Sequence, residues 1–464
     1  MALARVLVPA EYGTFKQAWL VAQTLALLLP FGMTQSLYYF VPRDPGGRDR
    51  YVAQVVWFHL GIGLVAAAGL TLAGPLLGAR LNNPELARLA PWIGAIAGLQ
   101  LAGAPLDVAW NASGRIGHAA LARVITEVGR AAAILAGAAL GGDVAAVLMG
   151  ITAAHALRFA VSTAALARSH RLVPSIATLR RQLAYALPFG LAFVLIVPQQ
   201  QFHHYAVAAA VTPALFAIYS VGTFQLPVVD ILYTPVSELL QIGLAEQEGA
   251  ALPARAGLAL FHEAVLQLSF AFVPIAGLLA VAAPAVIELL FSPQYLPAVP
   301  IFRLGALSVV LAALPLDGVM RARAQNRFMI ALSGGKLALT AALVLPGLAL
   351  AGPFGALAGW LAAEAIARGV MLVRAARLFE AGPREILPAR TLAVQLGATL
   401  AAMLPAAVAL HALPGPTFLR LAGCGLSFGA AYLVLSSALG GLPAGWLDLV
   451  RARRTRPVAA PTEP

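Results

Sequence analysis

Ionisable residues inside otherwise apolar stretches are the groups most able to do chemistry in this chain. In the first half, Arg123, Glu127 and Arg130 recur at intervals of four and three residues, which places them on one face of a helix. Arg158 follows His155 by three residues in the next apolar stretch. Arginine grips phosphate oxygens with paired donors and keeps its charge when buried. These arginines therefore predict a cationic cavity that binds a diphosphate.

The second half carries a similar set of charges. Lys336 lies roughly 12 Å into its apolar stretch, and Glu364 and Arg368 form an i, i+4 pair. We expect Lys336 and Arg368 to line the cavity as well. In the alternative interpretation, the acidic residues form neutralised pairs that only hold helices together, and Arg368 extends to the membrane surface. Those pairs would be Arg123–Glu127 and Glu364–Arg368.

Acidic and histidine residues within the stretches suggest ion coupling. A coupling proton or sodium ion could bind at Glu127, Asp230 or Glu364, of which Asp230 has no charged partner nearby in the sequence. His203 and His204 could titrate near neutral pH, but we favour polar caps at the outer membrane surface.

The composition sets the fold class. Of the 464 residues, 60% are hydrophobic and 11% are charged, against roughly 25% charged in soluble proteins. The sequence predicts an all-α integral membrane protein of about 13 transmembrane helices. The predicted spans are 14–40, 52–78, 89–110, 119–140, 143–166, 183–207, 214–240, 258–289, 298–320, 328–350, 354–373, 391–411 and 416–440. Cys424 is the single cysteine, which excludes an intramolecular disulfide and a multi-cysteine metal site, and we expect no cofactor.

The loop charges predict the orientation. One alternating set of loops and the C-terminal tail hold 20 arginines, whereas the other set holds only Arg80 and Arg88. Because basic residues collect in cytoplasmic loops, the Arg-rich set and the C-terminus are predicted to be cytoplasmic. The net charge of +12 has the same cause, so we expect no nucleic-acid partner. In these loops Asp107 and Asp317 are expected to pair with Arg115 and Arg321.

A weak internal repeat predicts two lobes. Pro9–Phe15 resembles Pro213–Tyr219, which begins 204 residues later, and both stretches open a span. Duplicated halves of this kind are typical of transporters. The predicted organisation is an N-terminal lobe (1–166), a cytoplasmic inter-lobe loop (167–182), a C-terminal lobe (183–373), two additional helices (391–440) and a disordered cytoplasmic tail (451–464). The second motif follows a complete span and the first follows only nine residues. We therefore predict one further helix upstream of Met1, which would make 14.

Several motifs resemble the polysaccharide-biosynthesis flippases of the multidrug/oligosaccharidyl-lipid/polysaccharide transporter superfamily. They extend over about residues 3–380 and are Leu7–Gly13, Phe31–Leu37, Ala184–Gly190, Gly318–Phe328 and Phe354–Gly359. The resemblance implies two six-helix lobes around a central cavity, two extra C-terminal helices and transport by alternating access. One departure stands out: where many relatives carry an acidic residue, this chain reads Gln199–His204.

Together, the resemblance and the basic residues predict a flippase for surface polysaccharide such as O-antigen, lipopolysaccharide or exopolysaccharide. It would carry a polyprenyl-diphosphate-linked oligosaccharide across the bacterial inner membrane, in contact with membrane lipids and with polymerase or export proteins. The alternatives are a lipid II flippase and a Na⁺- or H⁺-coupled multidrug extruder. An enzyme is not expected, because the outer loops are short and carry no catalytic constellation.

Overall fold

The computed structural model describes residues 1–224 and 227–443, and within them all regular secondary structure is helical. The α-helices are α1 Leu3–Val6, α2 Pro9–Leu28, α3 Met33–Arg43, α4 Arg48–Leu72, α5 Gly74–Arg80, α6 Glu85–Gly103, α7 Pro105–Ala112, α8 Ile116–Gly141, α9 Val144–Ser169, α10 Ile176–Ala210, α11 Pro213–Gly222, α12 Pro227–Gly249, α13 Ala256–Leu290, α14 Val299–Gly305, α15 Leu307–Leu311, α16 Leu316–Ala322, α17 Asn326–Leu378, α18 Ala389–Ala412 and α19 Thr417–Ala438. The predicted disordered tail, 451–464, lies outside the described residues.

The predicted all-α membrane class is confirmed. In the described part of the chain, 11 helical stretches are long and apolar enough to cross a membrane, or up to 12 if the bent helix α10 counts as one span. The predicted count of 13 is not confirmed. The number depends on how broken helices are counted, because the chain bends inside several apolar stretches.

The first apolar stretch contains one such break. The sequence predicts a single span at 14–40, but α2 ends at Leu28 and α3 begins at Met33. Between them, Phe31 and Gly32 have φ values of 44° and 73°. The backbone of Phe31 packs on α10, where a Cβ added to Gly190 would lie 2.8 Å from the Phe31 carbonyl oxygen. Because Gly190 has no side chain, the irregular backbone at Phe31–Gly32, between α2 and α3, can pack directly against α10.

Prolines mark one helix bend and two helix starts. Helix α10 bends by 42° between Pro188 and Gly190. Pro9 and Pro213, which open the two copies of the repeated motif, are the first residues of α2 and α11. The two copies also meet, because a Cβ added to Gly13 would overlap the carbonyl oxygen of Pro213.

Helix α17 is a helical hairpin. Its 53 residues would extend about 80 Å as one straight helix, far more than the roughly 30 Å hydrocarbon core. At its centre, Ala351 and Gly352 leave the helical conformation, and Gly352 has a φ of 59°. Gly347 and Gly355 then meet backbone to backbone, so that a side chain on either would overlap the other. The two arms correspond to the predicted spans 328–350 and 354–373.

The chain divides into two compact units. Unit 1 consists of Met1–Ser220 and Thr340–Ala356, and unit 2 holds Val221–Leu339 and the described residues from Leu357 onwards. Unit 1 has a core around Met33, Tyr51 and Leu106. Unit 2 has several, one of which encloses Cys424 between α13, α18 and α19. The lobe boundaries predicted at 166 and 183 follow the span pattern rather than contacts, and they stay a prediction.

A buried polar network stabilises unit 1. The side chain of Gln17, fully buried, donates to the carbonyl oxygens of Leu81 (2.9 Å) and Ala208 (3.3 Å) and accepts from Asn83 Nδ2 (2.7 Å). Gln17→Leu should lower the free energy of unfolding by about 1–3 kcal/mol, because it leaves buried polar groups without partners. A drop in the melting temperature of the purified protein would show this loss. The control is Gln200→Leu, at an exposed position on α10, and equal melting temperatures for the two variants would contradict the prediction.

Candidate functional site

Arg158 is the most enclosed of the predicted site arginines. Its side chain is 12% exposed, and its guanidinium lies 2.5 Å from Asp107 Oδ1. A second donor reaches the carbonyl oxygen of Ala122 at 3.4 Å. The Asp107–Arg115 pair predicted from the sequence is wrong. The packing of α7 against α9 brings Asp107 to Arg158 instead. The α9 arginine is thus a fixed cation whose charge a single carboxylate balances.

Helix α8 carries the next two arginines. Arg130 pairs with Glu127 at i, i+3 and lies 5.2 Å from the centre of the Trp19 ring on α2. The predicted Arg123–Glu127 pair is therefore replaced by Glu127–Arg130. Arg123 is exposed and makes no ion pair with any described residue.

Unit 2 contains a three-membered cluster that spans both arms of the α17 hairpin. Glu364 pairs with Lys336 on the first arm and with Arg368 on its own arm, where Arg368 Nε lies 2.8 Å from Glu364 Oε1. The three side chains are only 15–22% exposed. The cluster therefore combines two cations with one carboxylate and keeps one excess positive charge.

The two halves hold corresponding arginines against corresponding segments. Arg158 and Arg368 are 210 residues apart, as are Asp107 and Asp317. Arg158 contacts Asp107 in the first turn of α7, and Arg368 donates to the carbonyl oxygen of Leu314, just before α16 (3.0 Å). The two halves thus resemble each other in these arginine contacts as well as in sequence.

The remaining predicted residues lie apart from these clusters. Asp317 pairs with Arg321, as the sequence predicts, and also accepts a hydrogen bond from Tyr233. Asp230 is exposed near the start of α12 and forms no ion pair within the described residues. His203 is buried in unit 1 rather than at a wet surface, and its Nδ1 lies 2.5 Å from Tyr219 Oη. The His204 ring lies 4.0 Å from that of His203.

Lys16 on α2 is a charge that the sequence analysis does not single out. Its ammonium lies 5.5 Å from the centre of the Tyr12 ring and pairs with no carboxylate among the described residues. Lys16 is one of only two lysines in the chain, and like Lys336 it is a charged residue inside an apolar stretch. That shared feature is the signal by which the sequence identifies Lys336 and could have identified Lys16. No group of three potential metal-ligating side chains is found in the described ranges.

Comparison with known proteins identifies the family. Residues 2–300 match the model of a family described as "Polysaccharide biosynthesis protein", and this chain belongs to that family. No curated protein matches the sequence significantly.

The fold resembles solved transporters. One is the lipid II flippase MurJ in an inward closed conformation, with a TM-score of 0.70 and 15% identity over 95% of this chain and 99% of that chain. Another is an inward-facing multidrug resistance MATE family transporter of the MOP superfamily, with a TM-score of 0.64 and 14% identity over 82% and 94% of the two chains. The chain is therefore a multi-pass membrane protein with a flippase and transporter fold, as the sequence motifs predict.

Proposed function

We propose that this protein moves a lipid-diphosphate-linked oligosaccharide from the cytoplasmic to the periplasmic leaflet, for the synthesis of a surface polysaccharide. Membership of a polysaccharide-biosynthesis family supports the cargo class. The observation that carries the proposal is the presence of partly buried cations at corresponding positions of both halves, Arg158 and Arg368. An uncharged or cationic drug would gain nothing from them.

The cations would replace the hydration of the diphosphate. A charged head group that leaves water loses a large solvation energy unless other charges compensate for it. Arg158, Arg130 and Arg368 sit beside carboxylates that hold their guanidinium groups in place, and each retains donors that can turn to phosphate oxygens. Arg123 and Lys336 add charge. The lipid tail remains in the bilayer while the head group crosses by alternating access.

Glu364 is the best placed of the three proposed ion-coupling residues. It bridges Lys336 and Arg368, so an arriving phosphate competes with it for both cations. Glu127 is bound to one arginine, and Asp230 has no cationic partner in the described structure. We propose the bacterial inner membrane as the location, with the C-terminus cytoplasmic and polymerase or export proteins as neighbours.

Complementation tests the function. The gene would be expressed in a bacterium that lacks its O-antigen unit flippase and, separately, in one depleted of its lipid II flippase. Rescue of surface polysaccharide in the first strain supports the proposal. Rescue of growth in the second strain alone would favour lipid II, a candidate that the likeness of the fold to MurJ supports.

Variants of the unit 2 cluster extend the test. Lys336→Met should reduce surface polysaccharide about tenfold at equal protein level, since hydrogen bonds to charged groups contribute about 1.5–3 kcal/mol. The control is Arg384→Gln, an exposed position in the loop after α17, which should leave the polysaccharide unchanged. Full activity of Lys336→Met would remove this lysine from the site.

A further inference from the structure

An open cavity of about 470 Å³ lies at the surface beside the start of helix α17 in unit 2. It is lined by Ala324, Gln325, Asn326, Arg327, Phe328 and Arg374. The Arg distribution predicts that this end of α17 is cytoplasmic. The nearest member of the unit 2 cluster in sequence, Arg368, lies six residues, or about 9 Å, from Arg374 along the second arm of α17.

The uncharged side chain of Gln325 fixes the orientation of Arg374 in this cavity. Its Nε and Nη2 both donate to Gln325 Oε1, at 3.0 and 2.6 Å. Gln325 is itself fixed, because its Nε2 donates to the carbonyl oxygen of Arg323 at 2.9 Å. The guanidinium also lies 5.8 Å from the centre of the Phe328 ring. An amide oxygen orients the arginine without cancelling its charge, so the second edge of the guanidinium can still bind an anion.

The charge in the cavity is not balanced by the protein. Neither Arg327 nor Arg374 forms an ion pair with any described residue, whereas the neighbouring Arg321 and Arg323 pair with Asp317 and Glu248. The first turn of α17 adds backbone N–H groups that have no partner within the helix, and the positive end of the helix dipole. Two uncompensated arginines and a helix start around one cavity form an arrangement suited to phosphate.

We propose that this cavity binds a phosphate-bearing anion, separately from the transported cargo. Arg327, Arg374 and the first turn of α17 would hold the phosphate group, and the Phe328 ring would pack against the rest of the ligand. An anionic lipid head group and a free phosphate compound share this chemistry. The inference does not rest on the proposed transport function.

Ligand-dependent melting of the purified full chain in detergent tests the site. The probes are dioctanoyl phosphatidylglycerol, inorganic pyrophosphate, and sodium chloride at matched ionic strength. Arg327→Gln and Arg374→Gln should each weaken the apparent affinity for a phosphate probe about tenfold, and the double variant about a hundredfold. Arg374→Lys should fall between wild type and Arg374→Gln, because it keeps the charge but loses the paired donors.

The matched control is Arg377→Gln, which removes an exposed arginine from the same helix outside the cavity and should leave the affinity unchanged. Binding of phosphatidylglycerol alone would identify a lipid site, and binding of pyrophosphate as well would identify a site for free phosphate compounds. Stabilisation by sodium chloride equal to that by both phosphate probes would overturn the proposal, as would an equal loss of affinity in Arg377→Gln. If Arg374→Gln fails to fold, the phosphate affinity of Arg327→Gln, a substitution at an exposed position, tests the proposal.

Discussion

Arg158→Gln should reduce surface polysaccharide to near the level of a flippase-deficient strain, while Asp107→Asn should retain much of the wild-type amount. Both variants break the same ion pair, which is 2.5 Å long in the structure. They differ in what remains: Asp107→Asn leaves the cation that the cargo needs, whereas Arg158→Gln leaves a partly buried carboxylate that repels the cargo. The loss in Arg158→Gln should exceed tenfold, because it combines a lost charge-assisted contact with an unpaired charge. Polysaccharide is measured at matched protein level.

The double variant Asp107→Asn/Arg158→Gln separates binding from structure. It carries a neutral pair of similar shape, so a purely structural ion pair should be replaceable by it. We expect the double variant to melt close to wild type and still fail to transport. Recovery of transport in the double variant would assign Arg158 a structural role and leave the unit 2 cluster as the candidate site.

Gly355→Leu should prevent accumulation of the folded protein. A side chain at this position would overlap the backbone of Gly347, which no rotamer change can relieve. The hairpin arms would have to separate, and the cost should exceed the roughly 1–3 kcal/mol typical of overpacking against side chains. The expected result is loss of the monodisperse peak in size-exclusion chromatography of a fluorescent fusion.

Gly334→Leu is the matched control for the hairpin. Gly334 lies on the first arm of α17, and a Cβ added there meets nothing within 4 Å. The same substitution should therefore be tolerated. Similar yields for Gly355→Leu and Gly334→Leu would mean that the close approach of the glycines is not needed for folding.

The helical membrane class and most helices follow from the sequence, because an apolar run of about 20 residues has few alternatives to a membrane helix. Pro9 and Pro213 were recognisable as helix starts for a local reason: proline suits the first turn, where a missing N–H costs nothing. The hairpin of α17 follows from the sequence as the two spans 328–350 and 354–373, whereas the break at Phe31–Gly32 was not predicted. That break depends on contact with a second segment, Gly190 beside Phe31, which hydropathy does not encode.

The charged residues illustrate the same limit. Spacing alone identified Glu364–Arg368, since i, i+4 neighbours on a helix are within reach. For Glu127 the sequence offered two arginines at permitted distances, and the structure selects Arg130. The partner of Asp107 could not be chosen by proximity in sequence, because Arg158 is 51 residues away and reaches it only through the packing of α7 and α9.

Cys424 gives this protein a practical advantage for following its motion. It is the single cysteine of the chain, and it is completely buried between helices of unit 2. A thiol reacts only when it is accessible and ionised, so Cys424 should not react with water-soluble maleimides. A cysteine placed beside Arg123 or Arg327 would then be the one reactive thiol. Its labelling rate from either side of the membrane, with and without cargo, would report both the orientation of the chain and the opening of each face, without a cysteine-free background having to be built.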